Sequence, residues 1–221
     1  MKKDEIQSLA HNLLETVPGN VLTEDMDIDP RFAGLRLFDA PLVGFGSASD
    51  PLFEEYKKPG IIGPWHMSPK EWLPGAESVI SIFLPFTEEV RSSNRDETAH
   101  ASTPWLYARI EGQAFIGKYI EALAACLEKR GIAGRFCSLI ADLPLEPVIR
   151  PYREIYEYCI HCNACVRRCP VGAIDPVTGK DHPTCHAFVE NSKKVFKPRY
   201  GCGLCQTGVP CEAENPLHLM D

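Results

Sequence analysis

The run Cys159–Pro170, CIHCNACVRRCP, constrains this chain more than any other stretch. Its spacing, C-x2-C-x2-C-x3-C-P, is a ligation pattern for iron–sulfur cubanes. The first three cysteines hold one [4Fe–4S] cluster and the fourth crosses to another. Two residues between thiolates make a loop tight enough to aim three sulfurs at one body. Cys169 is expected on the helical turn that follows, facing away, and Pro170 then stops the helix.

A second cubane needs three more thiolates, and the first still lacks one. Four cysteines lie downstream: Cys185, Cys202, Cys205 and Cys211. The crossed rule assigns Cys159, Cys162, Cys165 and Cys211 to cluster one, and Cys169, Cys185, Cys202 and Cys205 to cluster two. The second motif is irregular, with sixteen residues between Cys185 and Cys202 and five between Cys205 and Cys211. Zinc is the plain alternative, because two separated C-x2-C pairs can build a ribbon; disulfides are the other. A ribbon leaves Cys165, Cys169, Cys185 and Cys211 without a task. His161, His182 and His186 lie near these cysteines, but eight thiolates already satisfy two cubes.

Ten cysteines in a chain whose start (MKKDE) lacks an apolar signal core imply a reducing compartment, the cytoplasm, and metal ligation instead of a disulfide framework. Two such clusters favour surroundings with little oxygen. No stretch approaches the roughly 20 apolar residues of a membrane span, so no membrane association is expected. A net charge of −7 argues against nonspecific nucleic-acid binding. Between Arg150 and Tyr200, however, basic residues outnumber acidic ones, among them Arg167, Arg168, Lys193, Lys194, Lys197 and Arg199. Such cations either form an ordinary solvated face, or offset cluster charge and dock an acidic electron carrier.

The rest of the chain reads as an α/β domain over residues 1–150, with the two-cluster domain over 151–221. Ile6, Leu9, Ala10, Leu13, Leu14 and Val17 recur at helical spacing, so a helix is expected over 3–17, ended by Pro18 and Gly19. Leu35–Phe38 and Leu42–Phe45 suggest a strand and a turn. Gly44-Phe45-Gly46-Ser47 lacks the third glycine of a dinucleotide loop and reads as a turn. Residues 47–75, rich in Pro, Gly and aromatics, suggest a binding loop around Trp65 and Trp72; His66, with no companion motif, reads as a packed or solvated histidine that could instead touch a ligand or proton there. Ser78–Phe86 reads as a strand buried on both faces, within a mixed sheet covered by helices. Polar residues 87–103 read as a surface loop. Pro104–Arg130 is the longest periodic segment, with Gly131 as its cap. Arg135–Asp142 reads as a further strand. Cys126 and Cys137 are expected to be small core residues.

This order resembles the epoxyqueuosine reductase family and its iron–sulfur relatives, which share the cluster arrangement of reductive dehalogenases. The resemblance rests on the Pro/Trp-rich loop, strand Ser78–Phe86, the long helix, Asp142–Pro147 (DLPLEP), Cys159–Pro170, the lone Cys185, and Gly201–Gln206 (GCGLCQ). It implies a cobalamin in the α/β domain, fed by the clusters for reductive removal of oxygen or halogen. It also implies the same crossing of Cys211 and Cys185. Three departures stand out. The segment joining the long helix to strand Arg135–Asp142 is missing near 131–134, and it holds much of the family's cofactor pocket. The chain ends ten residues after Cys211. The last spacing is Cys205-x5-Cys211-Glu212, where family members carry C-x3-C-P. The expectation is therefore intact clusters and an incomplete corrinoid pocket.

Two functions follow. One is an electron carrier with two [4Fe–4S] clusters that serves a redox partner protein; complete cluster ligands and the absence of any H-E-x-x-H, G-x-S-x-G or Walker motif favour it. The other is an epoxyqueuosine reductase-like or dehalogenase-like reductase that uses a corrinoid or other small cofactor. A shortened α/β domain would leave apolar surface that a homodimer could cover.

Overall fold

The computed structural model describes residues 1–59, 61–128, 138–152 and 156–219. In chain order its elements are α1 (Lys3–Thr16), β1 (Leu42–Ser47), the single turns α2 (Leu52–Glu55) and α3 (Pro69–Trp72), β2 (Ser78–Phe83), α4 (Glu88–Arg95), α5 (Thr103–Glu128) and β3 (Ser138–Ala141). α6 (Ala164–Arg167), β4 (Ile174–Asp175), β5 (Gly179–Lys180) and α7 (His182–Phe196) follow. Among the described residues no helix is long and apolar enough to cross a membrane.

The chain divides into two compact units, each drawn from three segments. Unit 1 takes residues 1–20, 39–85 and 114–149; unit 2 takes 21–38, 86–113 and 150–221.

Unit 1 is built on apolar periodicity. α1 buries Ile6, Ala10 and Leu14, the stripe its spacing dictates. The second part of α5 buries Phe115, Tyr119, Leu123 and Leu127. The hydroxyl of Tyr119 donates to the Ala10 carbonyl at 2.9 Å, tying the two helices with a buried polar link. β1, β2 and β3 pair antiparallel in that order, with Leu42 opposite Phe83 and Ser78 opposite Ala141. The sheet is thus antiparallel where a mixed one was expected.

β2 is not buried on both faces. Ser78, Ile80 and Ile82 point inward while Ser81 and Phe83 are exposed. The apolar residues Val79 and Phe83 at outward positions hid this alternation in the sequence. Past β3 the chain stays bound to the sheet. The Ser78 hydroxyl donates to the Leu143 carbonyl at 2.6 Å, and the Val148 N–H donates to the Phe45 carbonyl at 2.8 Å.

Unit 2 differs from expectation at residues 87–103, which hold α4 instead of an open loop. Thr87 caps that helix by accepting from the Val90 N–H at 3.4 Å, and its hydroxyl donates to the Arg36 carbonyl at 2.8 Å. Val90 is the helix's one buried apolar residue, so α4 carries no stripe that periodicity could reveal. Leu35–Phe38 makes isolated bridges, Arg36 with Val21 and Phe38 with Phe86, and no full strand. The rings of Phe38 and Phe86 stack at 5.3 Å, and Phe86 meets Trp105 edge-on at 5.0 Å. The cap at Gly131, the short connection near 131–134 and the burial of Cys137 lie outside the described residues.

Candidate iron–sulfur centre

The cysteine-bearing loops all belong to unit 2. Cys159 and Cys162 precede α6, Cys165 lies within it, and Cys169 follows it after one further residue. The tight spacing forces unusual backbone. His161 and Asn163 both adopt left-handed conformations, at φ 50° and 58°. Such turns aim successive N–H groups into a concavity suited to anions, including iron–sulfur clusters. The His161 N–H points at the Cys159 sulfur at 3.4 Å, and the Ala173 N–H at the Cys169 sulfur at 3.2 Å. Cys185 sits in the first turn of α7, while Cys202 precedes the single 3-10 turn Leu204–Gln206 and Cys205 lies within it.

Three of these thiols, Cys202, Cys205 and Cys211, have different neighbours. Burial pushes the Cys211 thiol up, and its neighbouring charges are Cys165, Cys162 and Cys159. Burial also pushes Cys202 and Cys205 up, and both feel Cys185 and Cys169. Lys180 acts on both in the opposite sense. The thiolate is the form that binds metal, so binding iron here releases protons. Among the described residues, no three His, Cys, Asp or Glu side chains converge on a point that could hold a single metal ion.

Cys159, Cys162 and Cys211 are exposed, while Cys165, Cys169, Cys185, Cys202 and Cys205 are partly buried. His161, His182 and His186 are all exposed. Cys126 is half-buried in α5.

Close packing fixes the second loop. Gly203 is left-handed at φ 77°, and a Cβ there would fall 2.2 Å from the Trp105 ring. Only glycine fits, because both backbone and space exclude a side chain. Lys193 lies 4.5 Å and the Arg109 guanidinium 4.9 Å from the centre of the Tyr200 ring.

Most of the basic residues noted in the sequence turn out to be structural. Arg167 donates to the Cys162 carbonyl at 3.0 Å. Arg168 donates to the carbonyls of Leu204 at 2.8 Å, Arg95 at 2.9 Å and Asn94 at 3.1 Å. Arg199 pairs with Glu111 at 2.6 Å, and Lys193 with Glu190 at 2.7 Å. Lys194 and Lys197 are exposed. Sequence reasoning missed Lys180, the cation nearest in effect to Cys202 and Cys205, because its place on β5 is fixed only by the fold. It also missed Glu212. Burial works to raise this carboxyl, but hydrogen bonds from Arg95 and Gly208 outweigh it and hold it below its usual range.

The Trp65 loop belongs to unit 1. Trp65 and Trp72 are 76% and 59% exposed, so neither is packed into a core. His66 meets Tyr56 edge-on at 5.4 Å, and its Nε2 is buried without a hydrogen-bond partner. Glu71 braces the loop by bonding Lys57 at 2.8 Å and the Ser68 N–H at 2.6 Å.

Residues 152–175, which span Cys159 to Cys169, match the 4Fe-4S binding domain family. Over 80% of its length the chain is 26% identical to an epoxyqueuosine reductase of Bacillus cereus, and the match spans 62% of that protein. Over 37% of its length it is 29% identical to an "Uncharacterized protein in gldA 3'region" of Geobacillus stearothermophilus, covering 40% of that protein. The chain thus spans less than two thirds of either relative. No solved structure matches it significantly.

Proposed function

We propose that this chain, an iron–sulfur protein that resembles epoxyqueuosine reductase, holds two [4Fe–4S] clusters and passes single electrons to a redox partner or a bound cofactor. Cys159, Cys162, Cys165 and Cys211 hold the first cluster; Cys169, Cys185, Cys202 and Cys205 hold the second. The observation that carries this reading is the C-x2-C-x2-C-x3-C-P run of Cys159–Pro170, within the residues that match the 4Fe-4S family, because such a run crosses between two clusters. The neighbours of Cys211 (Cys159, Cys162 and Cys165) and of Cys202 and Cys205 (Cys169 and Cys185) support the same crossing.

When bound, the clusters supply one-electron chemistry. The chain's own groups hold and tune them. The N–H groups of His161 and Ala173 donate to ligand sulfurs, which stabilises the thiolate form and favours reduction. Lys180 adds positive charge beside Cys202 and Cys205. Cytoplasmic residence, where thiols stay reduced, fits this reading.

Iron and sulfide analysis with EPR on anaerobically purified protein tests the proposal. About eight irons per chain with spin-coupled reduced cubanes is the expected result. Zinc in place of iron, after the same purification, overturns it.

A second reading has one observation in its favour: similarity to the reductase runs over 80% of the chain, far beyond the cysteine loops. On that reading unit 1 binds a corrinoid or other small cofactor near the Trp65 loop and the protein is an oxidoreductase. Added cobalamin whose absorption shifts at micromolar concentration supports it. No binding, with both clusters reversibly reducible, removes the corrinoid version.

A further inference from the structure

We infer that the last turn of α4 is the anchor for the two crossing ligands, Cys169 and Cys211, and that Glu212 is the positioning residue for Cys211. The inference rests on the ligand assignment above. A cysteine in a C-x2-C loop is placed by the loop that carries its partners. A crossing cysteine sits on a different stretch of chain from the rest of its cluster, so it needs a fixed point elsewhere.

Asn94 and Arg95, the end of α4, provide one for each. Arg168 precedes Cys169 and spans from the Leu204 carbonyl at 2.8 Å to the carbonyls of Arg95 at 2.9 Å and Asn94 at 3.1 Å. A guanidinium is well matched to the unpaired carbonyls of a helix C-terminus. Asn94 is fully buried. It accepts from the Ser102 N–H at 3.0 Å and donates to the hydroxyl of buried Thr207 at 3.1 Å. Arg95 grips Glu212, the residue after Cys211, with Nε on both carboxylate oxygens at 3.0 Å and Nη2 on Oε1 at 2.7 Å. The Gly208 N–H donates to the other oxygen, Oε2, at 2.8 Å. The Glu212 side chain is only 7% exposed.

The chain on both sides of Cys211 is therefore pinned, at Gly208 and at Glu212, to the same carboxylate. The pin is a charge-assisted fork, which is directional and strong when shielded from water.

The test compares Glu212→Ala, Glu212→Gln and, as control, Glu88→Ala in the iron-loaded protein. Glu88 bonds the same Arg95 from the solvent side but does not touch the Cys211 loop. Iron release to a chelator, iron content and the midpoint potential of each cluster are measured. Glu212→Ala is expected to release half the iron, the half that a Cys162→Ser variant lacks, at least about 10-fold faster than the parent, as loss of an outer-shell partner does elsewhere. Glu212→Gln, which keeps the shape and removes a negative charge, is expected to retain both clusters and raise the potential of cluster one alone. Glu88→Ala is expected to match the parent. Equal loss from both clusters, or parental release and potentials in both Glu212 variants, overturns the inference. A parent protein with only four irons would instead sink the two-cluster reading, and this inference with it.

Discussion

Unit 1 and unit 2 are held together by different means. Unit 1 closes over large apolar side chains at regular spacing, with Phe115, Tyr119, Leu123 and Ile80 almost wholly buried. Unit 2 buries apolar side chains of its own, among them Leu22, Leu37 and Trp105, but its cysteine loops depend on polar and backbone contacts. Asn94 and Thr207 are fully buried and bonded to each other, and Arg168 gathers several carbonyls. A core of the first kind tolerates change in proportion to the volume removed. An arrangement of the second kind fails when a single donor is lost, because the stranded partner cannot be rehydrated.

Removing iron should break the comparison most sharply. Chelation, or Cys202→Ser, is expected to unfold the cysteine loops while unit 1 keeps its helical signal, since cluster binding and folding are coupled in so small a region. Hydrogen exchange read segment by segment would check this, and uniform loss of protection across both units would refute it. Next is Gly203→Ala, which combines a strained φ with a Cβ 2.2 Å from Trp105. Strain and overpacking together should cost about 3 kcal/mol or more and lower the iron content; purification of the variant with full iron content would count against it. In unit 1, Leu123→Ala should cost roughly 2–5 kcal/mol yet leave iron per folded chain unchanged, as thermal melts paired with iron analysis would show. Tyr119→Phe should cost about 1 kcal/mol by removing a buried hydrogen bond to the Ala10 carbonyl.

The smallest effect is one of pH. Hydrogen bonds from Lys57 and Ser68 lower the Glu71 carboxyl from 4.5 to about 2. A depressed carboxylate adds stability that is full above its unfolded value and is lost as pH falls through the folded one. The Trp65 loop should therefore loosen between about pH 4.5 and pH 2, visible as a change in tryptophan emission. Glu71→Gln should abolish that transition and leave the clusters untouched.

How much could be read in the sequence follows the same division. The α1 stripe and the long α5 declared themselves by period, because burial of one face is what periodicity encodes. The run from Cys159 to Cys169 declared its chemistry by spacing, and the family match to residues 152–175 agrees. α4 did not, since Val90 is its only buried apolar residue and its stability comes from the Thr87 cap and partners distant in sequence. Arg168 read as one cation among several; its role depends on Asn94 and Arg95, more than seventy residues earlier. No local pattern carries such a contact. β2 misled for the opposite reason, because exposed Phe83 made an amphipathic strand look apolar throughout.

The interleaving of the segments also bears on how the protein is made. The last segment of unit 1 ends at residue 149, whereas unit 2 begins with 21–38 and must wait for 150–221. As the chain leaves the ribosome, the whole of unit 1 emerges before any of the cysteines from Cys159 onward. The segments 21–38 and 86–113 meanwhile emerge without the loops they will pack against, and that interval is when they are most open to a chaperone or to aggregation.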